Sequence, residues 1–148
     1  MNIEATVDFQ VRSTLFSMAR MYNQKVQKLE ITHRAGYVLI IIPREGIPAT
    51  SIAPIMGMGS SSLSRLLKSM ENNGTIYRKA SESDKRISRV FLTPRGVELR
   101  AEIKKIVVCF NKSIQKQVNP EDLLIYNKVS KQIRNQIEAD MKPSKEKK

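Results

Sequence analysis

The sequence predicts a mainly α-helical chain that carries one small antiparallel β-hairpin, and three observations support this fold class. Apolar residues recur every three or four positions over most of the 148 residues, as they do along one face of an α-helix. Proline and glycine mark the ends of these segments. Two short runs at 76–80 and 87–92, rich in β-branched and aromatic residues, flank the polar segment SESDKR, which is typical of a hairpin.

The first two helices are predicted from apolar spacing and from their end signals. A long helix covers about residues 7–29, with one apolar face formed by Val11, Leu15, Met18, Tyr22, Val26 and Leu29. A second helix begins after Thr32, a plausible N-cap, and ends at Ile42, because Pro43 lacks the backbone donor that a helix requires. Residues 44–50 are predicted to form a turn with a short extended piece.

Two further helices are predicted before the hairpin. A short one runs from about Ser51 to Met56 and stops at Gly57. This start places Pro54 in the first turn, where a missing amide hydrogen matters little. The next runs from about Ser60 to Asn73 and stops at Gly74.

Two long helices are predicted after the hairpin. Thr93 and Pro94 open one that continues to about Gln117, and Asn119 with Pro120 opens the last. Their apolar faces consist of Ile103, Ile106, Val107, Phe110 and Ile114 in the first, and of Leu123, Tyr126, Val129, Ile133 and Ile137 in the second.

Residues 51–74 have the pattern of a helix-turn-helix. Ala53 and Gly57 lie four residues apart and fit the close crossing and the turn. The second helix has an apolar side of Leu63, Leu66, Leu67 and Met70 and a polar side of Ser60, Ser61, Ser64, Arg65 and Lys68. The pattern predicts a recognition helix for the major groove of DNA. The alternative is an ordinary surface helix whose first serines only cap it.

The hairpin tip, Ser83 to Arg86, contains two cations, Lys85 and Arg86. A β-ribbon with an arginine at its end can enter the minor groove, where the potential is most negative. A solvated charged turn is the alternative.

The net charge of +12, with 26 basic and 14 acidic residues, favours nucleic acid or an anionic membrane surface as a partner. The single cysteine, Cys109, lies among apolar residues, where we expect it to be buried and inert. One histidine and no paired-carboxylate, metal-ligand or phosphate-loop spacing predict a protein that is not an enzyme and needs no cofactor or metal.

A cytoplasmic location is expected from the sequence. The N-terminal segment has early acidic residues and no continuous apolar stretch, unlike a signal peptide. The longest apolar run, residues 37–42, is much shorter than the roughly 20 residues of a membrane span. No helix combines a lysine-rich face with a strongly apolar one, so a role at a membrane surface is disfavoured.

The motifs NNGTIYR, SDKR and FLTPRG, following the helix-turn-helix, resemble the core of the MarR family of transcriptional regulators over about residues 30–100. The resemblance implies a winged helix-turn-helix with long N- and C-terminal dimerisation helices. It implies a single domain over 1–148, with the winged core at 30–100, dimerisation helices at 1–29 and 94–141, and a flexible basic tail at 142–148.

The resemblance also implies roles for individual residues. Arg86 is expected in the minor groove, with Lys85 beside it and with Asp84 orienting the arginine through charge-assisted hydrogen bonds. Ser60, Ser61, Ser64, Arg65 and Lys68 are expected to face the major groove. Thr50 and Ser51 are expected to hold phosphate.

The outer helices predict a homodimer. About 24 residues of helix span about 36 Å, and their apolar faces need a partner. Packing of these helices within one chain is the alternative. By the resemblance, a two-fold dimer binds double-stranded DNA at a pseudo-palindromic operator, with half-sites about 10 base pairs apart.

The resemblance further implies a repressor that a small-molecule effector releases from DNA, with Leu15, His33, Tyr37 and Ile41 near the effector. For His33, a role as a structural or surface residue is favoured over a ligand contact. The peroxide-sensing branch of the family uses a cysteine near the N-terminus, which this chain lacks, so a redox switch is disfavoured. The alternative function is an architectural or protein-interaction module that binds DNA without sequence specificity.

Overall fold

The computed structural model describes residues 2–142 and contains, within them, six α-helices and three β-strands, which confirms the predicted fold class. The helices are α1 (Val7–Val26), α2 (His33–Ile41), α3 (Ala49–Met56), α4 (Ser60–Asn72), α5 (Pro94–Gln117) and α6 (Pro120–Met141). The strands are β1 (Ile47–Pro48), β2 (Ile76–Ala80) and β3 (Ser88–Leu92). The chain divides into two compact units, with the boundary between Ile106 and Val107. Of the tail predicted at 142–148, residues 143–148 lie outside the described part.

The first two helices follow the sequence signals closely. α1 ends at Val26, and residues 27–29 continue it as a 3₁₀ turn. The Thr32 hydroxyl oxygen accepts a hydrogen bond from the Ala35 amide at 3.2 Å, so Thr32 is the N-cap of α2 as predicted. α2 ends at Ile41, just ahead of Pro43.

The predicted start of α3 is wrong by two residues. The helix begins at Ala49 rather than Ser51, because Ala49 is a strong helix former and Pro48 holds the extended conformation of a cap (φ −56°, ψ 132°). Pro54 is therefore in the helix interior and not in its first turn. The Thr50 carbonyl, four residues earlier, receives no amide hydrogen from it. Because Thr50 is exposed, water can hydrate this carbonyl, and the helix tolerates the proline.

The predicted turn between α3 and α4 and the predicted end of α4 depend on two glycines. Gly57 ends α3 in the left-handed conformation, with φ of 60°. Gly74, two residues after α4, has φ of 67°. Residues with a Cβ adopt this region only with strain, so glycine ends both helices without cost.

The sheet contains the predicted hairpin and one strand more. β2 pairs antiparallel with β3, from Ile76 opposite Leu92 to Ala80 opposite Ser88. β1 pairs with the other edge of β3, so β3 is the central strand of the sheet. The sequence predicts only a short extended piece at the position of β1. The Val90 side chain of β3 is fully buried, which anchors the sheet to the core.

The core of the first unit combines side chains from the helices with those of the sheet. The largest fully buried ones are Val26, Val38, Leu39, Ile42, Ile52, Leu67 and Val90. They come from α1, α2 with its C-cap Ile42, α3, α4 and β3, so the helix-turn-helix is packed against the rest of the unit on its apolar side.

The two long C-terminal helices begin at the predicted caps. The Gly96 amide donates to the Thr93 hydroxyl oxygen at 3.1 Å, and the Glu121 amide donates to the Asn119 side-chain oxygen at 3.0 Å. No residue of α6 is buried.

Cys109 is exposed, so the expectation that it is buried is wrong. Val107, Val108, Cys109 and Phe110 are consecutive, and successive helical residues are about 100° apart, so they cannot all share one face. Val107 and Phe110 are half-buried, whereas Val108 and Cys109 lie on the open side of α5.

Candidate nucleic-acid interface

The helix α4 has one buried and one open side. Leu63, Leu67 and Met70 are at most 5% exposed and fix the helix to the core. All the residues predicted to face DNA along it are exposed, namely Ser60, Ser61, Ser64, Arg65 and Lys68. α4 therefore presents short polar side chains and two cations to the outside on a rigidly held helix.

The serines at the start of α4 are not capping residues. Gly59 is the N-cap, in extended conformation and without a side chain to bond. Ser60, Ser61 and Ser62 are the first three residues of the helix itself. The alternative in which these serines only cap the helix does not describe this structure.

Thr50 and Ser51 lie in the first turn of α3 and are both exposed. Their hydroxyl groups are open to an outside partner on the same unit as α4. The structure thus leaves accessible both residues predicted to hold phosphate.

The turn between β2 and β3 is exposed from Glu82 to Ile87, and its conformation is held by local hydrogen bonds. A carboxylate oxygen of Asp84 accepts from the backbone amide of Arg86 at 2.9 Å, and the Ile87 amide donates to the Asp84 carbonyl at 3.0 Å. Asp84 was expected to orient the Arg86 guanidinium. The recorded bond is instead to the backbone, because a carboxylate two residues before an amide closes an Asx turn. Asp84 shapes the turn, and the Arg86 side chain remains exposed.

A side-chain pair that the sequence reasoning missed connects α4 to the sheet. Arg78 on β2 donates to one carboxylate oxygen of Glu71, near the end of α4, from Nε at 3.0 Å and from a terminal nitrogen at 2.7 Å. Hydrogen bonding to Glu71 raises the pKa of Arg78 above its ordinary value, against the opposing effect of burial. The Arg78 guanidinium thus bonds Glu71, whereas Arg65 and Lys68 are exposed on the open side of α4.

A second missed contact connects β3 to the loop before α3. The Arg89 guanidinium donates to the carbonyls of Gly46 at 2.8 Å and Glu45 at 3.2 Å. Together with the pairing of β1 and β3, this contact holds the entry to the helix-turn-helix against the sheet.

Thr93 joins the end of α4 to the start of α5. Its hydroxyl donates to the Gly74 carbonyl at 2.6 Å while accepting from the Gly96 amide. Gly96 lies so close to Thr75 that a Cβ there would overlap the Thr75 carbonyl oxygen. The backbone after α4 therefore packs directly on α5.

An open cleft of about 470 Å³ lies between α4 and the region where α1 leads into α2. It is lined by Asn23, Thr32, His33, Arg34, Met58, Ser62, Arg65 and Leu66. Of the residues expected near an effector, only His33 lines this cleft; Leu15, Tyr37 and Ile41 do not.

His33 is tethered inside the cleft. The Asn23 side-chain oxygen accepts from the His33 backbone amide and from its Nδ1, both at 3.1 Å. Partial burial, and then repulsion by Arg34, lower the pKa of His33 below its ordinary value of 6.5. The imidazole is therefore mainly neutral at neutral pH.

Within residues 2–142, no three histidine, cysteine or acidic side chains gather to form a metal site. None of the helices in that range has the length and apolar character needed to cross a bilayer.

Comparison with known proteins identifies relatives. The sequence model of the MarR family matches residues 32–88, from the N-cap of α2 to the start of β3. The organic hydroperoxide resistance transcriptional regulator of Bacillus subtilis (strain 168) is 29% identical over 101 residues, 68% of this chain and 69% of that protein. The HTH-type transcriptional regulator TtmR of Methylorubrum extorquens (strain PA1) is 25% identical over 103 residues, 69% of this chain but only 53% of that protein.

Solved structures share the fold. The S. aureus MepR–DNA complex matches with a TM-score of 0.77 at 22% identity, over 88% of this chain and 98% of that one. The family match covers the helix-turn-helix, β2 and the turn after it, and the fold similarity extends over 88% of this chain. Residues 32–88 therefore match the MarR family, and the chain shares the winged-helix fold of the solved structure.

Proposed function

We propose that the chain is a transcriptional regulator that binds double-stranded DNA as a homodimer. The observation that carries the proposal is the two-sided α4, whose apolar side is buried while Ser64, Arg65 and Lys68 are exposed. A single helix of this kind fits the major groove, where arginine can bond a guanine edge and serine can bond bases or phosphates.

The exposed turn between β2 and β3 supports the same proposal. Lys85 and Arg86 are exposed on a turn that local hydrogen bonds hold. Arg78 and Arg89, on the two strands that lead to this turn, bond to α4 and to the loop before α3. We assign this turn to the adjacent minor groove and assign Thr50 and Ser51 to phosphate contacts.

The homodimer is supported by apolar surface on both compact units. Val7, Val11, Leu15 and Phe16 of α1 are each more than half exposed. On α6, the more exposed apolar residues are Leu124, Ile125, Tyr126, Ile137 and Met141. Apolar residues in such numbers on long helices favour burial against a second copy. We therefore place DNA contacts in residues 30–100 and the dimer interface in residues 1–29 and 94–141.

In this proposal the protein has no catalytic activity and acts in the cytoplasm, where a bacterial-type regulator meets chromosomal DNA. Repression relieved by a small molecule is the regulatory mode that we propose from the family resemblance.

Selection of bound fragments from random duplex DNA, read by sequencing, tests the proposal. A sequence-specific dimer enriches one pseudo-palindrome with half-sites about 10 base pairs apart. A variant with both Ser64→Ala and Arg65→Ala should lose the preference and keep weak, salt-dependent binding. Enrichment without sequence preference by the unaltered protein would instead favour an architectural DNA-binding module.

A further inference from the structure

We infer that the cleft between α4 and the start of α2 binds a backbone phosphate of the DNA duplex through Arg34, next to Arg65, which keeps its assignment to a base edge. This inference rests on the proposed function. It adds α2 to the DNA-binding elements, through a residue that the sequence motifs do not mark.

The first argument is charge. The lining of the cleft contains Arg34 and Arg65 and no acidic residue. Among residues 2–142 the ion pairs are Arg78–Glu71 and Lys105–Glu102, so neither arginine of the cleft has a carboxylate partner there. Two guanidinium groups on one small surface repel each other, and an anion bound between them removes that repulsion.

The second argument is the supply of hydrogen-bond donors. The amide of His33 already bonds the Asn23 side chain, and the amide of Ala35 bonds Thr32. These two amides at the start of α2 are thus occupied, whereas the lining also supplies the guanidinium groups of Arg34 and Arg65 and the hydroxyl group of Ser62 as donors. Guanidinium groups bind phosphate oxygens through paired hydrogen bonds.

The third argument is the shape of the cleft. It is open to solvent and adjoins the exposed face of α4 through Arg65. A phosphodiester continues on both sides into the sugar backbone, so it requires an open channel, whereas a free small anion is held best in an enclosed pocket. A contact from α2 to the backbone would fix the position of α4 in the groove without reading a base.

The test compares the DNA affinity of the unaltered protein with that of Arg34→Gln over 50–200 mM salt. Loss of one phosphate contact makes the slope of log K against log salt less negative by about 0.9. At the lower salt the variant therefore loses about 3- to 4-fold more affinity than at the higher salt. Its preferred sequence in the selection experiment stays the same.

Two control variants sharpen the result. Arg34→Lys keeps the charge and should keep the slope of the unaltered protein. Arg95→Gln removes one exposed arginine from the first turn of α5, outside the cleft, and should leave the slope unchanged. An Arg34→Gln slope equal to that of the unaltered protein overturns the inference, as does an equal change in Arg95→Gln.

A further arm separates duplex phosphate from a free anion. Inorganic phosphate is added to DNA-free protein, and the signals of His33, the single histidine, are followed by NMR. Weak binding at millimolar concentrations is expected. Micromolar binding of inorganic phosphate, with unchanged DNA affinity in Arg34→Gln, overturns the inference. If the unaltered protein binds no DNA, both the proposed function and this inference are wrong. If it binds DNA and Arg34→Gln leaves the salt slope unchanged, only this inference is wrong.

Discussion

Arg78 and Glu71 connect the last turn of the recognition helix to the first strand of the hairpin through two hydrogen bonds to one carboxylate oxygen. Both side chains are about one-third exposed. The pair couples the two elements that we assign to the two grooves, so it helps to set their relative orientation.

A double-mutant cycle of Glu71→Ala and Arg78→Ala should give a coupling energy of about 1 kcal/mol in urea unfolding, at the upper end for partly exposed pairs because two donors converge on one oxygen. The control is the cycle of Glu102→Ala and Lys105→Ala, a more exposed pair at 2.6 Å on α5. Its coupling should be below about 0.5 kcal/mol. Equal couplings in the two cycles would show that Arg78 adds nothing beyond a surface ion pair.

Arg65→Ala and Arg86→Ala should weaken DNA binding in different ways. Arg65 is assigned to a base edge, so its loss should reduce the binding free energy by about 1–3 kcal/mol and relax the preference at one position of the half-site. Arg86 is assigned to the minor groove, so its loss should weaken binding to all sequences. Fluorescence anisotropy with operator and mutated operators separates these results. Unchanged affinity in both variants would reject the assigned surface.

Gly96→Ala should destabilise the protein by roughly 2 kcal/mol or more, although alanine ordinarily favours a helix, because the new Cβ overlaps the Thr75 carbonyl oxygen. The matched control is Gly36→Ala, in α2, where the new Cβ would meet Ile103 and Ile31 side chains at 3.4 and 3.7 Å. That control should be neutral or slightly stabilising. Thermal unfolding measures both, and a stable Gly96→Ala protein would contradict the close packing of α5.

Ile133→Glu should separate the dimer, because it places a charge in the apolar stripe of α6. Sedimentation should show monomers, and DNA affinity should fall sharply because two half-sites are no longer bound together. Gln132→Glu adds the same charge at the neighbouring exposed position and should remain dimeric. A tight dimer of Ile133→Glu would exclude this stripe from the interface.

His33 should titrate below 6.5 in the folded protein, because burial and Arg34 both lower its pKa. Its neutral form is favoured by folding, so the associated stability is present above pH 6.5 and is lost as the pH falls through the folded value. NMR of the single imidazole measures the midpoint. Arg34→Gln should raise it by removing a neighbouring positive charge, and a midpoint above 6.5 in the unaltered protein would contradict the environment described.

Local patterns were sufficient for most of the fold. The caps at Thr32 and Asn119 and the two sides of α4 depend on spacing within a few residues, and periodicity records such spacing. The start of α3 differs from the prediction because a proline is tolerated in the helix interior where the carbonyl four residues earlier is exposed.

The candidate site was predicted only in part, because some of its contacts join distant segments. The bonds from Arg89 to the Glu45 and Gly46 carbonyls span 44 and 43 residues, and no local pattern encodes them. The cleft likewise brings Arg34 beside Arg65 through the packing of three helices. Such contacts depend on tertiary packing, which a periodic pattern constrains but does not specify.

The turn between β2 and β3 is closed by bonds within the chain itself, from Arg86 and Ile87 to Asp84 and from Ser81 to the Ile87 carbonyl at 2.8 Å. Fixing a residue's backbone costs about 1–2 kcal/mol in conformational entropy. In this turn the backbone entropy is lost when the protein folds and not when it binds DNA. A disordered loop of equal charge would bear it at the moment of contact, so this protein retains more of its electrostatic attraction as affinity.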